Sequence, residues 1–150
     1  MEHKEKAGEL FVKGYNCAQA VAIAFCDLTG YSEAEVARLA SPFGGGMGRM
    51  REVCGAVSGM FMVLGMLYGY DGSADDAEKK VLYARVQALA GKFRETAGSI
   101  VCREILKNPP SDPAPTARTA EFYKVRPCTR MVMLAAGLLD EFIADNPLAK

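Results

Sequence analysis

A run without any charged residue extends from Val53 to Tyr70, near the middle of the chain. The run is just long enough to suggest a membrane span. Its glycines and one serine lower its hydrophobicity, however, and no second run of this kind accompanies it. We therefore expect a helix buried at the centre of a globular protein and no contact with a membrane.

Glycines recur along this run near multiples of four residues, at Gly55, Gly59, Gly65 and Gly69. Each glycine inside a helix costs about 1 kcal/mol relative to alanine, so a compensating gain is expected. Close approach of another helix to the backbone would supply it. A second subunit could use the same surface, which makes a homodimer one expectation.

Capping residues divide the rest of the chain into further helices. Asn16 is a suitable N-cap for a helix from Cys17 to about Leu28. Ser32, with Glu35 three residues later, has the pattern of a capping box. Four prolines between Asn108 and Pro115 indicate an extended loop rather than a domain boundary, because too little chain follows to fold alone.

The absence of strand-like alternation in the sequence completes the prediction of the fold. We predict an all-α protein in which residues 1–150 form a single domain. The expected architecture is a compact bundle of about six or seven helices around the buried, glycine-rich central helix.

Charge and cysteine content restrict the function. Eighteen basic residues balance eighteen acidic ones, so no overall field attracts nucleic acid, and no nucleic-acid partner is expected. The charged start, Met1–Lys6, lacks the apolar core of a signal peptide, which predicts a cytoplasmic location. Thiols there are usually reduced, so five cysteines suggest ligands or redox thiols more than a disulfide framework.

Four of the cysteines fall in or beside the first turn of a predicted helix: Cys17, Cys54, Cys102 and Cys128. Unpaired backbone N–H groups and the helix dipole favour a thiolate at such a position. Arginines that could strengthen this effect lie near three of them: Arg49, Arg51, Arg103, Arg126 and Arg130. Cys26, by contrast, lies deep in the helix from Cys17 and is predicted to belong to the core.

Two kinds of chemistry remain open for these four cysteines, beside the simpler reading that they pack as small apolar residues. If the helix starts converge, the thiolates could bind an iron–sulfur cluster or zinc. The chain has no Cys-x-x-Cys pair and no Cys-x-x-Cys-His, so no haem is expected. The lone His3, in a mobile-looking N-terminus, argues against a mixed Cys/His site.

A glycine-rich segment, Phe43–Gly48, precedes the central helix. It lacks a preceding strand and a following Lys-Ser/Thr, so no nucleotide is expected. We expect a tight turn that brings backbone N–H groups close to the Cys54 sulfur. We expect the backbone of four glycines to surround the Cys54 site: Gly44, Gly45, Gly46 and Gly55.

Together these motifs resemble the C_GCAxxG_C_C family. Cys54–Gly59 reads Cys-Gly-Ala-Val-Ser-Gly, although the family's label writes Gly before Cys. Gly14-Tyr-Asn-Cys17 lies upstream, the Phe43–Gly48 segment lies just before it, and two further cysteines follow. The resemblance extends from about Ala7 to Leu139.

The resemblance implies a redox-active protein of bacteria or archaea, often from anaerobes, whose redox role is itself inferred from its cysteines. The family's four cysteines correspond to Cys17, Cys54, Cys102 and Cys128, and Cys26 has no place in the pattern. A similar domain occurs in split-Soret cytochromes c, but this chain lacks the haem motif.

The leading expectation is a metal centre, most of all an iron–sulfur cluster, held by all four cysteines for electron transfer or redox sensing. The alternatives are a thiol–disulfide oxidoreductase with Cys54 as the attacking thiolate and a structural zinc module. A redox partner protein is expected in the first two cases, but the sequence does not identify it.

Overall fold

The computed structural model describes residues 2–148. Its helices, in chain order, are α1 (His3–Val12), α2 (Cys17–Ala24), α3 (Cys26–Thr29), α4 (Glu33–Ala40), α5 (Gly44–Met47), α6 (Gly55–Tyr68), α7 (Asp76–Ala97), α8 (Cys102–Ile105), α9 (Ala120–Val125) and α10 (Cys128–Asp145). A short 3-10 turn, Ser41–Phe43, joins α4 to α5. Between residues 2 and 148 the only β-type pairing is an isolated bridge from Val53 to Val101. The all-α prediction is confirmed, although the helices are more numerous than predicted because several are single turns.

The glycine-rich helix α6 lies at the centre and crosses α2 closely. A Cβ atom on Gly59 would lie 2.7 Å from the carbonyl oxygen of Ala18, and one on Gly55 would lie 3.0 Å from Cβ of Cys17. Close helix crossing is therefore confirmed as the reason for these two glycines. Gly65 differs, since within the described residues no neighbour lies within 4 Å of a Cβ built there.

Helices α1 and α10 pack along each other and close the core over α2. Large apolar side chains from all parts of the bundle are fully buried in this core. They include Phe11, Phe25, Met60, Phe93 and Leu139. Burial of apolar area on this scale is the main source of stability in a domain of this size.

Two expectations about the first helices are wrong. The helix predicted from Cys17 to Leu28 breaks at Phe25, whose backbone leaves the helical region, and Cys26 begins α3 as a half-buried residue at the edge of the core. His3 is not mobile: its Nδ1 lies 2.7 Å from Asp140 and its Nε2 2.9 Å from Asp27. Its ring also stacks on Phe25, so packing and side-chain contacts hold His3 in place.

The helical part of the uncharged run is α6, which is shorter than the run and packs in the core. None of the helices between residues 2 and 148 is both long and apolar enough to cross a bilayer.

Candidate functional site

Each of the four family cysteines occupies a helix start. Cys17, Cys102 and Cys128 are the first residues of α2, α8 and α10, and Cys54 is the N-cap of α6. The predicted placement at helix starts is thus confirmed.

Local capping chemistry fixes the start of α2. The Asn16 side chain accepts a hydrogen bond from the Gln19 N–H at 2.8 Å, and the Gln19 side chain accepts one from the Asn16 N–H. The Asn16 amide also donates to the Ser41 carbonyl, next to the glycine segment. This reciprocal cap holds Cys17 in a defined orientation.

All four cysteines line one small cavity of about 30 Å³. Gly45 and Gly46 form part of its wall, and both have left-handed backbone conformations. A Cβ atom on Gly46 would lie 2.6 Å from Cβ of Cys102 and 2.8 Å from Cα of Arg51, so only glycine fits. The sequence-predicted cysteines therefore converge, and the glycine segment brings them together.

We call Cys54 and Cys102 the closed pair, because they are only 7% and 6% exposed. The segments that carry them are joined by backbone bonds: the Cys54 N–H donates to Ile100, and the Cys102 N–H donates to Glu52. Burial raises the pKa of Cys54 to about 12, although backbone N–H groups of the first turn of α6 oppose it. Burial also raises the pKa of Cys102.

Arg51 lies against the closed pair and is 4% exposed. Its Nη1 lies 3.6 Å from Sγ of Cys102, a contact that lowers the pKa of that thiol and partly offsets burial. Its Nε donates to the Pro110 carbonyl at 2.9 Å, whereas its Nη2 has no partner within residues 2–148. The sequence placed this arginine beside Cys54, but its hydrogen-bond contact is with Cys102.

We call Cys17 and Cys128 the open pair, because both are half-buried. Cys17 and Cys128 line the same two cavities, and hydrogen bonding between their side chains is the largest cause of a Cys128 pKa lowered to about 7. The same bond, together with burial, raises the pKa of Cys17 well above its ordinary value. Cys128 is thus the acidic thiol of the open pair, and Cys17 is its hydrogen-bond donor.

The open pair lies beside a larger cavity of about 230 Å³, which we call the arginine pocket. Four arginines line it: Arg49, Arg51, Arg118 and Arg126. The last three also lower the pKa of Cys128. Phe122 holds two of them in place, since the Arg118 and Arg126 guanidinium carbons lie 5.7 Å and 5.1 Å from its ring centre.

Sequence reasoning missed Arg118 and Phe122 as site residues. Arg118 follows the proline-rich loop and donates to the Phe11 carbonyl, far from any cysteine in sequence. Two predicted arginines have other roles: Arg103 contacts the Arg51 carbonyl and the Glu52 carboxylate, and Arg130 lies exposed outside the pocket.

Over residues 15–142 the chain matches the family described as "Putative redox-active protein (C_GCAxxG_C_C)". The chain belongs to this family. The match includes all four cysteines of the two pairs and the glycine segment. No curated protein and no solved structure matches the chain significantly.

The C_GCAxxG_C_C description names redox activity but no cofactor. Among residues 2–148, no three Cys, His, Asp or Glu side chains lie close enough in a suitable arrangement to coordinate one metal ion. The assignment of Cys17, Cys54, Cys102 and Cys128 as metal ligands therefore stays a prediction, as does the assignment of Cys54 as the attacking thiolate.

Proposed function

We propose that the protein is a thiol–disulfide redox protein in which Cys128 attacks and Cys17 resolves. The observation that carries the proposal is the open pair itself: two helix starts bring a thiolate-prone sulfur and a thiol donor into contact beside an accessible pocket. A thiolate is the reactive form, and a pKa near ambient pH is best for exchange.

The exchange transfers two electrons from the open pair to a partner disulfide. The Cys128 thiolate attacks one sulfur of a partner disulfide, the S–S bond breaks, and the first partner thiolate leaves and takes up a proton. Cys17 then loses its proton and attacks Sγ of Cys128, which releases the second thiol. Two electrons have reached the partner, and a Cys17–Cys128 disulfide has formed.

Cys54 suits the attacking role less well than Cys128. Its pKa of about 12 leaves very little thiolate at neutral pH, and it is almost fully buried. Because the closed pair shares a cavity with the open pair, its role in this proposal is to receive oxidising equivalents by exchange. We place this chemistry in the cytoplasm, with a redox partner protein that reduces the Cys17–Cys128 disulfide again.

A four-cysteine metal centre for electron transfer or redox sensing is a second candidate, favoured by the convergence of all four thiols on one cavity. Cys17, Cys54, Cys102 and Cys128 would hold the group, and thiolates suit iron–sulfur clusters and zinc. A cavity of about 30 Å³ is comparable to one or two water-sized sites. The four cysteines of the described chain are also not arranged to coordinate one metal ion, so a cluster requires the sulfurs to rearrange, which is why we rank it second.

One set of measurements tests both candidates. The protein is purified without oxygen, analysed for iron, zinc and sulfide, then oxidised with a small neutral disulfide and mapped by mass spectrometry. We expect a Cys17–Cys128 bond to form first and Cys17→Ser to accumulate a mixed disulfide on Cys128. Cys26→Ser serves as a control that leaves the mapping unchanged.

First oxidation at the closed pair, or no bond at all, would contradict the dithiol proposal. Stoichiometric iron and sulfide with visible absorption that bleaches on reduction would favour the cluster. Stoichiometric zinc in a colourless protein would favour the structural zinc module.

A further inference from the structure

The arginine pocket has a charge that the whole chain lacks. The formal net charge of the protein is zero, yet the residues in 2–148 that line this pocket include four arginines and no Asp or Glu. Of the four, only Arg49 lies within 4 Å of a carboxylate of residues 2–148, that of Asp112, at 3.8 Å. The positive potential is therefore local and directed at the open pair.

The N-terminal ends of two helices add to this positive potential. Helices α2 and α10 both begin at the open pair, and both present unpaired N–H groups and the positive ends of their dipoles there. Such an arrangement stabilises an anion, but it also serves the Cys128 thiolate and so does not by itself require a ligand.

Arg51 supplies the second, independent observation. It lines both the arginine pocket and the small cavity between the four cysteines, and it is only 4% exposed. Its Nη2 has no hydrogen-bond partner in the described chain. A buried guanidinium donor without a partner is unfavourable, so a ligand that accepts from it would stabilise the site. Carboxylates match the guanidinium geometry.

The size of the pocket restricts the ligand further. At about 230 Å³ it is smaller than the roughly 300–1,000 Å³ usual for drug-sized ligands. A small molecule therefore fits better than a folded partner's loop.

We propose that the arginine pocket recognises low-molecular-weight disulfides that carry carboxylate groups and holds them beside Cys128. The inference rests on the proposed thiol–disulfide chemistry and names its substrate class. The carboxylates contact Arg118 and Arg126, next to the buried positive charge of Arg51, while the disulfide lies toward the open pair. Oxidation of the pair releases two small thiols, by the exchange balanced above.

Three small disulfides of similar size test this charge preference. Dithiodipropionate is a dianion, hydroxyethyl disulfide is neutral, and cystamine is a dication. The rate of oxidation of the reduced protein is measured with each at low ionic strength. We expect the anion to react about tenfold faster than the neutral probe and faster still than the cation, with the preference falling as salt is added.

A bare thiolate attracts cations, so it would give the opposite order. The sign of the preference therefore separates the pocket from the thiolate's own charge.

Arginine variants locate the preference. Arg118→Gln and Arg126→Gln should each reduce the ratio of anionic to neutral rates severalfold, and Arg118→Lys should restore most of it. This ratio does not depend on the thiolate fraction of Cys128, which affects both probes equally. Arg38→Gln, on the exposed part of α4, removes the same charge and should leave the ratio unchanged.

The outcomes distinguish the two proposals. Oxidation by the neutral probe with a flat or reversed charge order, unaffected by the arginine variants, would overturn the inference about the pocket alone. No oxidation by any probe, or oxidation at a cysteine other than Cys128, would overturn both the inference and the thiol–disulfide function on which it rests.

Discussion

Cys128 of the open pair and Cys54 of the closed pair both lie at helix starts, yet their acidities move in opposite directions. The pKa of Cys128 falls to about 7, whereas that of Cys54 rises to about 12. Both sulfurs receive hydrogen bonds, so hydrogen bonding alone does not explain the difference. Burial dominates at Cys54, while a thiol donor and arginines dominate at Cys128. A helix start therefore makes a cysteine reactive only where the site is not fully desolvated.

Reactivity at neutral pH should separate the pairs most strongly. With these pKa values, about half of Cys128 and about one part in 100,000 of Cys54 are thiolate at pH 7. We expect iodoacetamide to modify Cys128 more than a thousandfold faster than Cys54, measured by time-resolved mass spectrometry. Comparable rates at the two positions would remove the distinction between the pairs.

The wall of the cavity that the two pairs share should be intolerant of a single methyl group. Gly46→Ala places Cβ within 3 Å of Cys102 and Arg51 and adds strain at a positive φ. We expect the free energy of unfolding to fall by about 2–4 kcal/mol, measured by denaturant titration. Gly91→Ala is the control. It lies in the interior of α7, within the described residues has no neighbour within 4 Å of its new Cβ, and should stabilise by about 0.5–1 kcal/mol.

Cys54 and Cys128 should also act oppositely on stability as pH changes. Because the pKa of Cys54 is raised, its contribution is complete below pH 9 and is lost as pH rises toward 12, at up to about 1.4 kcal/mol per pH unit. Because the pKa of Cys128 is lowered, its contribution is complete above pH 9 and is lost as pH falls through 7.

Cys54→Ala should therefore flatten the alkaline decline in unfolding free energy, by about 2 kcal/mol at pH 10.5 relative to pH 9. Cys128→Ala should instead change the dependence between pH 7 and 9. Chemical denaturation at each pH measures both effects, and identical pH profiles for the two variants would contradict the assignment of opposite shifts.

Helix caps give the smallest effect and test whether the open pair depends on its local support. Asn16→Ala and Ser32→Ala each remove a capping box and should each lower stability by about 1 kcal/mol. Only Asn16→Ala should also slow alkylation of Cys128, because Asn16 precedes Cys17. An equal change in both variants would show that the pair responds to global stability rather than to its cap.

The parts of this structure that were predictable from sequence depend on local rules. Asn16 and Ser32 act as the N-caps expected of them, and Pro127 precedes a helix that begins at Cys128. Capping depends on residues within one turn, so the sequence specifies it directly. The same locality explains why the helix-start positions of the four cysteines were predictable.

Contacts between distant segments account for what was missed. Arg118 reaches the site only because α9 and the segment before it pack against α1, and nothing near it in sequence indicates a cysteine. Arg51 was matched to its sequence neighbour Cys54, but the backbone pairing of its segment with the one around Val101 places Cys102 beside it instead. Long-range pairing of this kind has no local sequence signal.

The pH dependence of Cys128 alkylation in the wild type and in Cys17→Ala tests most directly whether the open pair is a redox-active thiol pair. We expect a midpoint near pH 7 in the wild type, and a clear upward shift when the Cys17 donor is removed. A wild-type midpoint at or above the ordinary thiol value of 9.0, or no shift in Cys17→Ala, would contradict the claim that the open pair is a redox-active thiol pair.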